Sequence, residues 1–539
     1  MSSLQDPIRD GLKRGWKVLG GAHGAPPEKM VCDVAIIGSG AGAGISAELL
    51  ARADLQVVII EEGPLKSSSD FNQKEAEAYP ALYQESAGRK TADKAITILQ
   101  GRCVGGSTTV NWTSSFRTPA DTLRYWQQKF ALNDYTNDAL APYFQQAETR
   151  LSMGPWLVAP NENNDLLRRG AARLGIPAAA IARNVKGCWN LGSCGMGCPT
   201  NAKQSMLVTT IPAALDLGAT LLVETRAEQF ELANGRLRSV RCIAVKPNGA
   251  PVESASRTTT IIAKHFVLAA GAINSAALLL RSNAPDPHGR LGRRTFLHPV
   301  VMSAAIMSQK VEAWAGAPQT IYTDHFLGTQ PIDGPMGFKL EAPPLHPVIF
   351  ASTVFGYGQE QAAMLAQFPH THVLLALLRD GFHEEAAGGQ VKLRGDGSAE
   401  LDYPLTDFVM AGARRALLAM MEIQFAAGAR QVLPMHESAR PCNSWAEGQQ
   451  AVAALAMQPL LTKVVSAHVM GGCGLAGTEA QGVTRPDGVH WQLDNLSIHD
   501  GSIFPTSIGA NPQLSIYGIV NRLAQGLVKR LTGQDLTLA

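Results

Sequence analysis

Gly38, Gly40 and Ala43 spell G-x-G-x-x-A directly after the apolar run 31–37 (VCDVAII). Small residues there let a backbone come against a pyrophosphate, and the helix that follows turns its free N–H groups toward the negative charge. Glu61 stands 21 residues beyond Gly40, at the end of the next apolar run, where a carboxylate can accept from the ribose hydroxyls of an adenosine half. A plain strand–helix turn would use the glycines but not the carboxylate. The combination predicts a dinucleotide site and does not say which dinucleotide.

A second glycine-rich stretch, 101–111 (GRCVGGSTTVN), favours an extended cofactor. Gly105 and Gly106 leave room for a close backbone approach, and Ser107, Thr108 and Asn111 supply hydrogen-bonding groups. A nicotinamide enzyme has no evident need of such an element. Cys188, Cys194 and Cys198 form the third group, spaced C-x5-C-x3-C-P in a Gly-rich segment, while the other five cysteines are dispersed. Three thiolates on a short flexible stretch can converge on one metal site. Zinc with a fourth ligand from elsewhere, a labile disulfide and plain packing thiols stay open beside an iron–sulfur cluster.

These residues need elements to position them. Residues 31–37, a helix over 44–52 and a strand over 56–60 read as a βαβ opening. Strands over 218–223 and 259–269 and a helix over 274–281 read as a return to the same unit. Between about 300 and 465 the texture changes to Pro-rich loops, an apolar run at 373–378 and a hairpin over 390–403 around Asp396-Gly397. The expected class is α/β, a Rossmann-like nucleotide-binding domain (31–130, 205–300 and 464–539) interwoven with a sheet-based α+β substrate domain (131–204 and 301–463) that includes the cysteines. A helix over 515–532 follows the last motif. Residues 1–30 form an N-terminal amphipathic segment in which Ile8, Leu12, Trp16 and Leu19 share a helical face. It reads as docked on the protein's own surface, with peripheral membrane contact as the alternative.

A formal net charge of +2, with scattered Lys and Arg, excludes an electrostatic footprint for nucleic acid. Eight cysteines in 539 residues exclude a disulfide scaffold. No apolar run approaches the ~20 residues of a membrane-spanning helix, and no signal-peptide core precedes residue 31, so the expectation is a cytoplasmic, soluble chain, membrane-associated at most.

The 101–111 stretch resembles the first signature of the glucose-methanol-choline (GMC) oxidoreductases, which wraps the FAD pyrophosphate and isoalloxazine. The aromatic usually four residues after the Asn falls one later, at Phe116. Val110 stands where some members carry a flavin-linking histidine, which implies non-covalent FAD. Residues 267–282 (VLAAGAINSAALLLRS) resemble the second signature, with Ala276 and Asn283 departing from it. Residues 464–473 (VVSAHVMGGC) and 496–517 (LSIHDGSIFPTSIGANPQLSIY) resemble the paired C-terminal motifs, with Gly474 in place of a usual Arg. The resemblance implies that His468 is the active-site base, Asn511 its partner at the substrate hydroxyl, and Asp500-Gly501 a flavin-contacting pair. The chemistry agrees, because imidazole can take a hydroxyl proton near neutral pH and an amide can donate to a developing alkoxide.

SAHVMGG, CP-x-x-AK-x-S and the hairpin look most like the long-chain alcohol oxidase and dehydrogenase branch, which implies a primary, aliphatic alcohol substrate. The cysteine segment is also similar to that of [3Fe–4S] sugar dehydrogenase flavoprotein subunits. That side of the resemblance implies a polyol or sugar dehydrogenase with an onward carrier and a small partner subunit. Whether a quinone-type carrier or O2 accepts the electrons stays open. A flavoprotein acting only as a redox-dependent binding module would have no use for His468 and Asn511.

Overall fold

The computed structural model describes residues 5–252 and 258–538. Residues 1–4 of the expected N-terminal segment, and 253–257 and 539 within the expected nucleotide-binding segments, lie outside the described residues. One sheet is built from β1 (Lys17–Leu19), β2 (Lys29–Ile37), β3 (Val57–Ile60), β4 (Thr220–Leu222), β5 (Thr225–Ala233), β6 (Arg236–Ala244), β7 (Thr258–Leu268) and β8 (Leu493–Ile498). The order runs β1-β4-β3-β2-β7-β6-β5. β7 lies parallel to β2 along its length; on its other side the first half pairs antiparallel with β6, and Phe266–Leu268 pair parallel with β8. The apolar runs read from the sequence are these central parallel strands, buried on both faces; all four residues of β3 are buried.

Helix α1 (Pro7–Arg14) precedes this sheet, and α2 (Ala41–Arg52), α3 (Ala272–Arg281) and α4 (Gln513–Thr532) pack against it or against one another. The N-terminal segment corrects an expectation. Asp6 caps α1 and Gly15, at φ +95°, ends it, so Trp16 and Leu19 do not continue a helical face. Lys17–Leu19 instead becomes an edge strand parallel to β4. Trp16 covers Gly11 and donates its Nε1–H to Asp216 at 2.7 Å, and Arg14 donates to the same carboxylate oxygen at 2.8 Å. The segment docks on the protein's own surface through these bonds and the buried Ile8. Among the described residues no helix is long and apolar enough to cross a membrane.

The second sheet centres on the strand Val300–Ile306, flanked by Thr371–Leu378 on one side and by Val464–Ser466 and Gln431–Pro434 on the other. Phe338–Glu341 and Ile321–Thr323 extend it, and Ile96–Ile98 closes the far side. Helix Asp407–Ala426 covers one face, where Ser303 Oγ donates to Gln424 Oε1 at 2.6 Å. The opposite face carries Val300, Met302, Leu375, Leu377 and Val465, which pack with Trp112 as an apolar cluster apart from the main core. Lys339 and Glu341 stand opposite Leu377 and Leu375 in the register and therefore share that face. The expected hairpin pairs Gln390 with Asp402 and Leu393 with Ala399, around Asp396-Gly397.

Candidate active site

At the carboxyl end of β2 two glycine loops meet. Gly38 has φ +102°, and a Cβ there would fall 2.2 Å from the Ala269 carbonyl oxygen. Gly40 is the N-cap of α2, whose first turn receives no side-chain cap, and Ala43 is buried one turn on. Gly106, at φ +53°, comes so near that a Cβ would lie 2.8 Å from Gly40 Cα. Glu61 is buried just past β3; its carboxylate accepts from Ser39 Oγ at 2.5 Å and from the Gly63 N–H at 2.7 Å, and burial pushes its carboxyl up to about 7. Ser39 also accepts from the Gly105 N–H at 3.0 Å, so it links Glu61 to the second glycine loop. An uncapped helix start, two loops abutting without Cβ atoms and a buried carboxylate fit an anionic dinucleotide.

The polar residues of the second loop brace it. Ser107 Oγ accepts from the Gly101 N–H, Thr108 Oγ1 donates to the Gly105 carbonyl at 2.6 Å, and Asn111 Nδ2 donates to Gln513 Oε1 at 2.6 Å. Asp500 is buried and accepts from Ser275 Oγ at 2.6 Å and from the backbone N–H groups of Gly271 and Ser502 at 2.9 and 2.8 Å. It thus ties the motif at 496–517 to the segment 267–282. Gly501 beside it lies under Ile516 and the Val469 carbonyl.

His468 follows the strand Val464–Ser466, and Ser466 Oγ accepts its backbone N–H at 3.3 Å. Its Nδ1 lies 3.4 Å from Nδ1 of His298. His298 is buried with φ +45°, a conformation held by Asp380, which accepts the backbone N–H groups of Leu297 and His298 and the Tyr403 hydroxyl. The other His298 nitrogen accepts from the Gly509 N–H at 3.1 Å, two residues before Asn511, so one imidazole touches both expected catalytic loops. Burial first, then the nearby Lys339 charge, lower His468 to about 4, which keeps it neutral. Asn511 is buried; its Nδ2 donates to Glu341 Oε2 at 3.2 Å, while Asn511 Oδ1 and Glu341 Oε1 have no hydrogen-bond partner among the described residues. Lys339 Nζ sits 3.1 Å from the Phe116 ring centroid and 4.2 Å from that of Tyr322. Burial pushes Lys339 down to about 8 and Glu341 up, each partly offset by the other's charge.

For the cysteine segment, where several readings stay open, the structure shows free thiols. Cys188, Cys194 and Cys198 are half-buried free thiols with separate partners: the Asn190 N–H, Arg183 Nη2 and the Thr200 hydroxyl. Among the described residues no three His, Cys, Asp or Glu side chains gather to hold a metal ion, so the segment does not fit a thiolate-bound [3Fe–4S] cluster or zinc. What fixes it is Lys203, buried, whose Nζ donates to the carbonyls of Thr109, Asn111 and Cys194 at 2.7, 2.8 and 2.7 Å. The segment is fastened to the second glycine loop. Sequence reasoning did not single out Ser39, His298, Lys339 or Glu341. Only the Glu61 carboxylate, needing a donor, hinted at Ser39.

A mixed sheet with a parallel core and a glycine cradle at the carboxyl ends of its strands, faced by a second sheet that carries ionisable groups to the same region, fits a dinucleotide-dependent oxidoreductase. Two models of the GMC oxidoreductase match residues 79–300 and 385–519. The chain belongs to the GMC oxidoreductase family. It is 30% identical over 510 residues to an uncharacterized GMC-type oxidoreductase of Mycobacterium tuberculosis, covering 94% of this chain and 77% of that one. A long-chain-alcohol oxidase of Arabidopsis thaliana is 26% identical over 513 residues, 92% of this chain and 68% of its own. Among solved structures, an Aspergillus oryzae formate oxidase variant, studied for its FAD modification, shares the fold with a TM-score of 0.68 at 14% identity over 94% of this chain and all of that one.

Proposed function

We propose that this chain binds FAD non-covalently and oxidises a primary alcohol of long aliphatic chain to the aldehyde. The observation that carries the reading is the sheet face on which a buried, half-satisfied Asn511–Glu341 pair adjoins Val300, Met302, Leu375, Leu377 and Val465, with His468 three residues beyond Val465. The name of the Arabidopsis relative supports the alcohol class, and the Aspergillus structure supports the cofactor.

In this reading Gly38, Gly40, Ala43, Gly105 and Gly106 take the pyrophosphate and Glu61 the ribose. Ser107, Thr108, Asn111, Asp500 and Gly501 shape the flavin end. FAD bound there supplies the acceptor for a hydride from the carbinol carbon. His468, kept neutral by burial, takes the hydroxyl proton as the hydride leaves. The Asn511 amide donates to the oxygen as its negative charge grows, and the apolar sheet face receives the alkyl chain and excludes water. Segments 31–130, 205–300 and 464–539 mainly serve the cofactor and 131–204 and 301–463 the substrate, while His468 and Asn511 of the last cofactor segment act on the substrate hydroxyl.

The test is anaerobic mixing with alcohols of increasing length while flavin bleaching is followed. The reduction rate per substrate concentration should rise from ethanol to dodecan-1-ol, and denaturation should release intact FAD into solution. A preference for glucose or gluconate would overturn the substrate class, and flavin retained on the precipitated protein would overturn non-covalent binding.

A further inference from the structure

The amide of Asn511 can sit either way round, and only its neighbours choose. Its single protein partner among the described residues is Glu341, which accepts from Nδ2 through Oε2 at 3.2 Å. Ionised, the Glu341 carboxylate accepts and does not donate, so this bond turns the NH2 end toward it and would repel the carbonyl end. The second Nδ2–H is then left for another acceptor. Glu341 and Lys339 are wholly or almost wholly buried on a face that is otherwise apolar, where charged residues are rarely kept without a purpose. Lys339, two residues away on the same strand face, is held over the Phe116 and Tyr322 rings. Its charge favours the acceptor form of Glu341 in a place where burial alone would remove it.

We infer that Glu341, backed by the positive charge of Lys339, is the positioning residue for Asn511: it fixes which end of the amide meets the alcohol oxygen. The inference rests on the role proposed above for Asn511. It makes Glu341 a residue that acts through Asn511 rather than on the reacting atoms.

The experiment compares anaerobic flavin reduction in the FAD-loaded enzyme carrying Asn511→Ala, Glu341→Leu, Glu341→Asp, Glu341→Gln or the Glu341→Leu/Asn511→Ala pair, with FAD content measured on each. Glu341→Leu, and Glu341→Asp with its carboxylate drawn back by one methylene, should slow the limiting reduction rate about as much as Asn511→Ala, ~10²- to 10³-fold, with KM little changed. Glu341→Gln keeps a carbonyl acceptor and should recover to within about 10-fold of the parent. In the Asn511→Ala background Glu341→Leu should cost no more than about 3-fold further, because the group it orients is gone. Reduction at the parental rate in both Glu341→Leu and Glu341→Asp would overturn the inference. So would an equal loss with and without Asn511, which is the mark of a structural role. Should Glu341→Leu lose its fold, the Asp and Gln variants carry the same comparison. If Asn511→Ala alone reduces flavin at the parental rate, the role of Asn511 falls and the inference with it; slow Asn511→Ala beside unaffected Glu341 variants removes only the inference.

Discussion

A base that moves a proton in transit is read most directly in turnover. His468→Ala is expected to lower the flavin-reduction rate ~10²- to 10⁴-fold while KM for a long alcohol changes little, and combining it with Asn511→Ala should cost less than the product of the two losses, since both act on one hydroxyl. Stopped-flow bleaching without oxygen isolates this step, and parental rates in His468→Ala would refute the assignment. The imidazole works as a base only when neutral, and burial together with Lys339 holds it at about 4. The acid limb of kcat/KM for flavin reduction is therefore expected near pH 4, well below the ~6.5 of a free imidazole. Lys339→Met removes one lowering cause and should move the limb upward; a limb that stays put argues against this electrostatic link. His468 and Asn511 were legible because they sit in dense local motifs. Lys339 and Glu341 were not, because FKLE reads as an ordinary short strand and its partners lie 170 residues away at Asn511 and more than 200 away at Phe116. His298 was hidden the same way, in a turn whose meaning depends on Gly509 and His468.

Elements were more legible than contacts. The parallel strands and the hairpin follow from apolar runs and an Asp-Gly turn, and the sheets hold them within a few residues of the expected bounds. The N-terminal helix was overextended, because amphipathic spacing continued through Gly15 while its left-handed backbone ended the helix. The cysteine spacing left several readings open for a related reason: spacing along a chain does not fix where side chains point. Iron in the purified protein is thus expected to be far below one atom per chain, and stoichiometric iron in anaerobically prepared protein would contradict the separate thiol environments. At the cradle, Gly106→Ala adds a Cβ 2.8 Å from Gly40 Cα at a residue with φ +53°. It should purify with clearly less FAD than the parent, as the ratio of flavin to protein absorbance will show. Full loading would mean that the two loops can part without cost.

Across the whole molecule neither sheet comes from one stretch of chain. Residues 17–60, 220–268 and 493–498 build the first, and 96–98, 300–378, 431–434 and 464–466 the second. Unfolding is expected as one transition, with tryptophan emission and flavin release sharing a midpoint. Added FAD should raise that midpoint, since a ligand at 100 times its Kd stabilises by about 2.7 kcal/mol. Two separated transitions would show that the sheets hold independently. The late position of β8 also sets a timetable for synthesis. The strand that completes the pairing of β7 is followed by Asp500 and Asn511, and all three come more than 450 residues after β2. At roughly 5–20 residues per second a ribosome needs about 20 to 90 s to travel from β2 to β8. During that interval β2, its glycine turn and the 101–111 loop are made without the strand that completes β7 or the motif at 496–517, so cofactor loading is expected to wait for β8, and nascent chains released before it are substrates for chaperones and proteases rather than slow enzymes.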